Sequence, residues 1–295
     1  MIVKNKLAHL SERISENGLQ LPRLTKIKWL SFPYLLWMIG FIIVPLIMVL
    51  FYGFTNKEGN LTLENILLIA SPINLKALVL SLKLSFISTL ICLLLAYPLA
   101  MVLCSTKLKS NNFILLVIIL PMWMNFLLRT IAWQNILEKT GILNNILSFF
   151  NLPSLNIINT PSAIVLGMVY NFLPFMVLPI YNVLSKIDKD IVNAARDLGA
   201  NGWQAFLKII FPLTLPGVIS GITMVFVPSL TTFVISTILG GSKVVLIGNV
   251  IEQQFLKTVN WNAGSGLSLV LMIFILFSMA VLSKYDKGSE GSNLW

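Results

Sequence analysis

Residues 190–218 read DIVNAARDLGANGWQAFLKIIFPLTLPGV, and they are the least membrane-like part of a long apolar middle. Asp188, Lys189 and Asp190 open the stretch, and Arg196, Asp197 and Lys208 lie within it. Ala194, Ala195 and Leu198 fall on one helical face, at offsets of three and four. Gly199 and Gly202 bracket a break, where a residue that tolerates positive φ is favoured. Trp203, Phe206, Leu207 and Ile210 then form a second apolar stripe, and Pro212 is a place where a new helix can begin. The pattern predicts a helix, a glycine turn and a second helix between two hydrophobic spans. Such an element either lies on a membrane surface or docks a partner.

The surrounding composition sets the compartment. Of 295 residues, 57% are hydrophobic and only 11% charged, with a mean hydropathy of +0.87. A soluble protein carries about 25% charged residues. The chain is therefore expected to be an all-α integral membrane protein. Its net charge of +10 is read as topological, marking cytoplasmic loops, because no nucleic-acid motif accompanies it. Cys92 and Cys104 lie twelve residues apart on one predicted helix, about 18 Å along its axis, and so do not pair. No metal-ligand spacing is present, and His9, the single histidine, sits in the polar N-terminal segment.

Six apolar spans are predicted, at about 33–54, 78–104, 113–137, 161–183, 212–239 and 265–284, each near the ~20 residues a bilayer requires. Residues 1–32 form a polar N-terminal segment, 33–284 the transmembrane domain and 285–295 a tail. The first span is expected to be an uncleaved signal anchor. Alternate loops carry fourteen Lys and Arg on one side against five on the other. The positive-inside rule then places both termini, and the loop 186–211, in the cytoplasm. Pro45, Pro98, Pro121, Pro174, Pro179 and Pro228 lie inside spans. Pro174 and Pro179 together predict either a bent helix that lines a passage or ordinary packing of a proline-bearing helix.

No phosphate loop of the G-x-x-x-x-G-K-[ST] kind occurs, and Gly240-Gly241-Ser242-Lys243 has the wrong spacing. No acid falls within a predicted span, so the paired carboxylates of a proton-driven pump are missing. Uphill transport would have to draw energy from another subunit. No catalytic constellation is expected.

The stretch Ala194-Ala195-x-x-x-Gly199, followed by Ile210-x-Pro212 and Leu215-Pro216, resembles the EAA loop of bacterial ABC-importer permeases. The runs LPMWMNFLLRTIAW (120–133), NTPSAIVLGMVYNFLPFMVLPIY (159–181), KIDKDIVNAARDLGA (186–200) and LIGNVIEQQF (246–255) are similar to the spermidine/putrescine permeases of the PotB type. The resemblance spans roughly residues 33–284. It implies a six-helix type I importer permease of MetI-like architecture in the bacterial inner membrane. Two copies of an ATP-binding subunit, which holds ATP and Mg, a homologous second permease and an extracytoplasmic polyamine-binding protein are its implied partners. Membrane lipid surrounds it and nucleic acid has no part.

The implied ATPase-coupling residues are Asn193, Ala194, Ala195, Arg196, Asp197 and Gly199. The family's Glu is Asn193 here, which keeps a polar, helix-capping side chain but drops a negative charge near a helix N-terminus. For the pathway, Arg129 is the one charge well inside a span and is expected to act as a structural pair or gate rather than as a ligand of a cationic solute. Lys83 is expected to snorkel. Glu252 is the best acidic candidate for a polyamine, with Trp123, Trp133, Tyr170 and Asn171 as possible lining residues; Trp and Tyr also fill bundles and interfacial belts. Two alternatives stand beside this expectation. One is a permease of the same class for ferric iron, sulfate or phosphodiesters, and the other is a stand-alone secondary transporter.

Overall fold

The computed structural model describes residues 32–105 and 116–290; His9, Lys107, Lys109 and the rest of 1–31, 106–115 and 291–295 lie outside them. Two units divide the chain, Met1–Phe51 and Tyr52–Trp295. Helix α1 (Phe32–Gly53) begins in the first. Tyr34, Trp37 and Phe41 stack along one side of it, with centroids 6.5 and 5.8 Å apart.

In the second unit, α2 (Pro72–Ser105), α5 (Pro161–Leu184) and α7 (Gly202–Thr231) pack against one another and hold the core. Between α3 (Phe126–Leu137) and α5 lies the short α4 (Ile142–Phe149), and α6 (Lys189–Asp197) precedes α7. The chain then makes α8 (Val234–Gly240), α9 (Ile247–Leu256) and α10 (Trp261–Glu290), which runs on past the predicted span end at 284.

Apolar side chains gain little by leaving lipid for one another, so helices in a bilayer are held by close packing. The α5–α7 contact shows this. A Cβ on Gly217 would lie 2.8 Å from the Pro179 carbonyl oxygen, and one on Gly221 would lie 2.7 Å from Met176 Sδ. The Pro179 carbonyl thus lies directly against Gly217 of α7, a close packing of that proline's turn. Small residues also line α2 where it meets α5: Ser88, Cys92, Ala96 and Ala100 are all buried. The Cys92 thiol reaches the Val169 carbonyl at 3.8 Å.

Among the described residues, five helices are long and apolar enough to cross a bilayer, and a bent pair makes a sixth. Two of the predicted spans are not single helices. The third bends by 99° between Leu116–Trp123 and Phe126–Phe149. Pro121 lies just before the bend, and the Asn125 side chain accepts from Leu127 and Leu128 N–H at 2.9 and 3.3 Å to start α3 afresh. The fifth, predicted as 212–239, ends as a helix at Thr231; Thr232 and Phe233 break it before α8.

Pro212 does lie in the first turn of an α-helical segment, Phe211–Thr231, but that segment is not a separate helix. Helix α7 runs straight through it from Gly202, because Phe206–Ile210 forms a π-turn in which Phe211 N–H bonds to the Phe206 carbonyl. Proline lacks an N–H and its ring collides with the carbonyl four residues back, here Lys208. Widening the preceding turn relieves that collision without ending the helix. The same device precedes Pro45 in α1, where Val44 N–H bonds to Ile39 across the π-turn Ile39–Ile43.

Candidate functional site

The loop between α5 and α7 is built from capping chemistry. Asp188 caps α6, its carboxylate accepting from Asp190 N–H at 2.9 Å. At the other end Gly199 takes φ +85°, its N–H bonds to the Arg196 carbonyl at 2.8 Å, and Ala200 N–H bonds to Ala195 at 3.0 Å. This pair of bonds is the Schellman stop, which requires a left-handed residue at that place. Asn201 then opens α7 with a capping box: Gln204 N–H donates to the Asn201 side chain at 2.8 Å, and Asn201 N–H donates to the Gln204 side chain at 3.0 Å. The LGAN turn therefore spends every residue on one cap or the other.

The predicted faces divide differently from the expectation. Ala195 is buried, whereas Ala194, Asn193, Arg196 and Asp197 are exposed. Asn193 lies mid-helix and caps nothing; Asp188 has that role. Large apolar side chains stand uncovered beside them, with Leu198 90% and Trp203 68% exposed.

A second feature lies where α7 breaks. A cleft of about 510 Å³ is lined by Thr231, Phe233, Gly248, Glu252, Phe255 and Ser268 together with aliphatic side chains of α9 and α10. Irregular backbone inside a membrane protein is tolerated where it is buried or lines a cavity, and the break at Thr232–Phe233 does the latter. Asn249 fixes its shape. The Asn249 amide nitrogen donates to the Phe233 carbonyl (3.1 Å) and to Thr237 Oγ1 (2.8 Å). Its oxygen accepts from Ser236 Oγ (2.5 Å) and Leu246 N–H (3.1 Å). From α2, Ser81 Oγ accepts Ile247 N–H at 2.8 Å and so secures the start of α9. With α7 about 45 Å long, the loop and the cleft stand at opposite ends of one helix.

The remaining pathway candidates do not converge on Glu252. Arg129 is 7% exposed; its Nη1 donates to the Pro121 carbonyl at 2.6 Å, and its guanidinium lies 5.9 and 5.8 Å from the Phe126 and Tyr170 rings. Its side chain thus reaches back across the bend in the third span. Tyr170 meets Trp133 edge-on at 5.1 Å, and both line a separate groove of about 780 Å³ that also contains Lys83. Trp123, 75% exposed, stands just before the bend. Asn171 is buried, donating to the Gly167 carbonyl at 2.8 Å, and its Oδ1 meets no donor among the described residues.

Residues 25–286 match the family described as the binding-protein-dependent transport system inner membrane component. The chain belongs to that family. It is thus a multi-pass inner-membrane transport subunit. Its similarity to the spermidine/putrescine transport system permease protein PotB of Haemophilus influenzae is 38% identity over 252 residues, covering 82% of this chain and 88% of the relative. For the protein of that name from Escherichia coli the identity is 38%, with 80% and 89% covered. In fold it is similar to a solved bacterial ABC transporter involved in the import of the acidic polysaccharide alginate, with a TM-score of 0.74 at 17% identity, covering 94% of this chain and 99% of that one. As a permease of this family, the chain brings Glu252, Phe233 and Phe255 together by a break that apolarity alone did not signal; only Glu252 was expected. Asn249 and Ser81 also went unread, because each acts across distant segments.

Proposed function

We propose that this permease carries polyamines inward and forms half of the translocation pathway of an ATP-driven importer. The observation that carries the solute class is the cleft around Glu252. Its polar edge is a carboxylate beside the C-terminal end of α7, where helix carbonyls lack internal donors. Phe233 and Phe255 supply aromatic faces. Acceptors and rings in a lining that, among the described residues, includes no Lys or Arg suit an ammonium chain. The relatives named as spermidine/putrescine permeases support the same solute.

In this reading both termini and the 186–211 loop face the cytoplasm. There, α6 and the start of α7 dock into one of two ATP-binding subunits, with Leu198 and Trp203 covered by it. ATP and its Mg belong to those subunits, and this chain contributes no catalytic group. A homologous second permease completes the pathway, and a polyamine-binding protein delivers solute at the cleft end. Closure of the ATPases displaces the loop, and the core helices carry the displacement to the cleft.

Spermidine uptake by the reconstituted complex tests this. Glu252→Gln is expected to raise the KM by about tenfold or more, the loss of one charge-assisted contact. Unchanged kinetics would remove Glu252, and with it the structural support for the solute class.

A further inference from the structure

We infer that Tyr97 is a positioning residue that ties the docking element to α2, and that the ATP-driven change at the Glu252 cleft depends on this tie. The inference rests on the reading of 186–211 as the ATPase-docking loop. A helix that contains a π-turn is a poor push-rod, since the widened turn can absorb a displacement. The turn Phe206–Ile210 lies between Trp203 and the membrane part of α7. Something must hold that turn if movement at Trp203 is to travel further.

Tyr97 grips α7 at the first residue of the turn and again beyond it. Its ring meets Phe206 edge-on, with centroids 5.5 Å apart and planes at 89°. On its other side Phe206 stacks on Trp203, at 5.6 Å and 27°. Beyond the turn, the Tyr97 hydroxyl lies 2.6 Å from Thr214 Oγ1. The Thr214 proton goes to the Phe211 carbonyl at 2.9 Å, so the tyrosine donates to Thr214. Both side chains are buried. The Phe211 ring also lies 6.0 Å from the Tyr97 ring.

On α2 the next residue is Pro98, which leaves the Leu94 carbonyl without its helical donor. The tie therefore joins the π-turn region of α7 to the proline-interrupted turn of α2. From there α2 leads to Ser81, about 24 Å further along the helix, and Ser81 holds Ile247 N–H at the start of α9. Glu252 is carried by α9. The route runs from Trp203 through Phe206, Tyr97 and Ser81 to the cleft.

The test uses the complete complex, with Ser268→Cys as a reporter in the cleft and Cys92 and Cys104 replaced by Ser. Maleimide labelling of the reporter is measured with and without ATP, which needs no assumption about the solute. The rate is expected to change by about tenfold on ATP binding. Tyr97→Ala should erase that change while ATP hydrolysis stays within about twofold. A Tyr97→Ala complex that keeps the full change overturns the inference. Should Tyr97→Ala fail to assemble, Tyr97→Phe and Thr214→Val decide: the first removes only the bond between the two hydroxyls, and the second removes it together with the Thr214 bond to the Phe211 carbonyl. Each should shrink the change by about threefold or more, with the double variant no worse than Thr214→Val. Wild-type behaviour, or additive losses, would overturn the tie. Leu198→Asp separates the underlying reading. Loss of the ATPase from the complex supports docking whatever Tyr97 does, and its retention overturns docking and this inference with it.

Discussion

At Gly199 the backbone sits at φ +85°, and a Cβ there would meet nothing within 4 Å in this chain. The residue is required for its conformation, which costs an L-residue about 1–2 kcal/mol, and within the chain its small size is not needed. Two causes of a substitution effect can therefore be told apart. If conformation alone matters, Gly199→Asn should be mild, because Asn enters the left-handed region readily, while Gly199→Val should be severe. If the docked ATPase also needs the space, Asn and Val should be equally harmful. ATPase retention on the purified complex measures both, and the docking account predicts equal harm. The glycine and its turn were legible in the sequence, since Gly at the end of an amphipathic stretch is a local signal. Asn193 was less so: its mid-helix place follows from Asp188 taking the cap five residues earlier.

At the scale of the element, the two broken spans mark the limit of reading by apolarity. Hydropathy is continuous across 113–137 and 212–239, so each window reads as one helix. The breaks are set by particular side chains. Asn125 restarts α3, and Asn249 holds the end of α7 from sixteen residues beyond Phe233. The second is a tertiary contact with no local signature. Asn249→Leu should leave the Leu246 N–H without its partner, at about 1–3 kcal/mol, and loosen the hold on the Phe233 carbonyl, which keeps its bonds from Ser236 and Thr237. A fall in the unfolding temperature of the purified protein is expected; an unchanged one would mean that the break does not depend on Asn249. The α5–α7 contact makes a second prediction. Gly217→Leu would drive a side chain into the Pro179 carbonyl, where backbone has no freedom to yield. Loss of folded protein in a gel-filtration profile is expected. The isolated Pro212→Ala change should be tolerated, since it only removes the need for the π-turn.

For the whole molecule, the arrangement is one of two ends. The loop at 186–211 has capped helices and uncovered apolar side chains but no means of binding a nucleotide phosphate through a glycine-rich loop. At the other end of α7, the cleft pairs a carboxylate with aromatic rings beside broken backbone. An importer needs these ends to be joined, and Tyr97 and Ser81 are where the core helices join them. The most direct test is spermidine uptake into vesicles bearing the complete complex, with and without ATP, beside vesicles bearing this chain alone. The account predicts uptake by the complex only, dependent on ATP and on the binding protein, and abolished by Leu198→Asp. Spermidine uptake by the chain alone in ATP-free vesicles would contradict it.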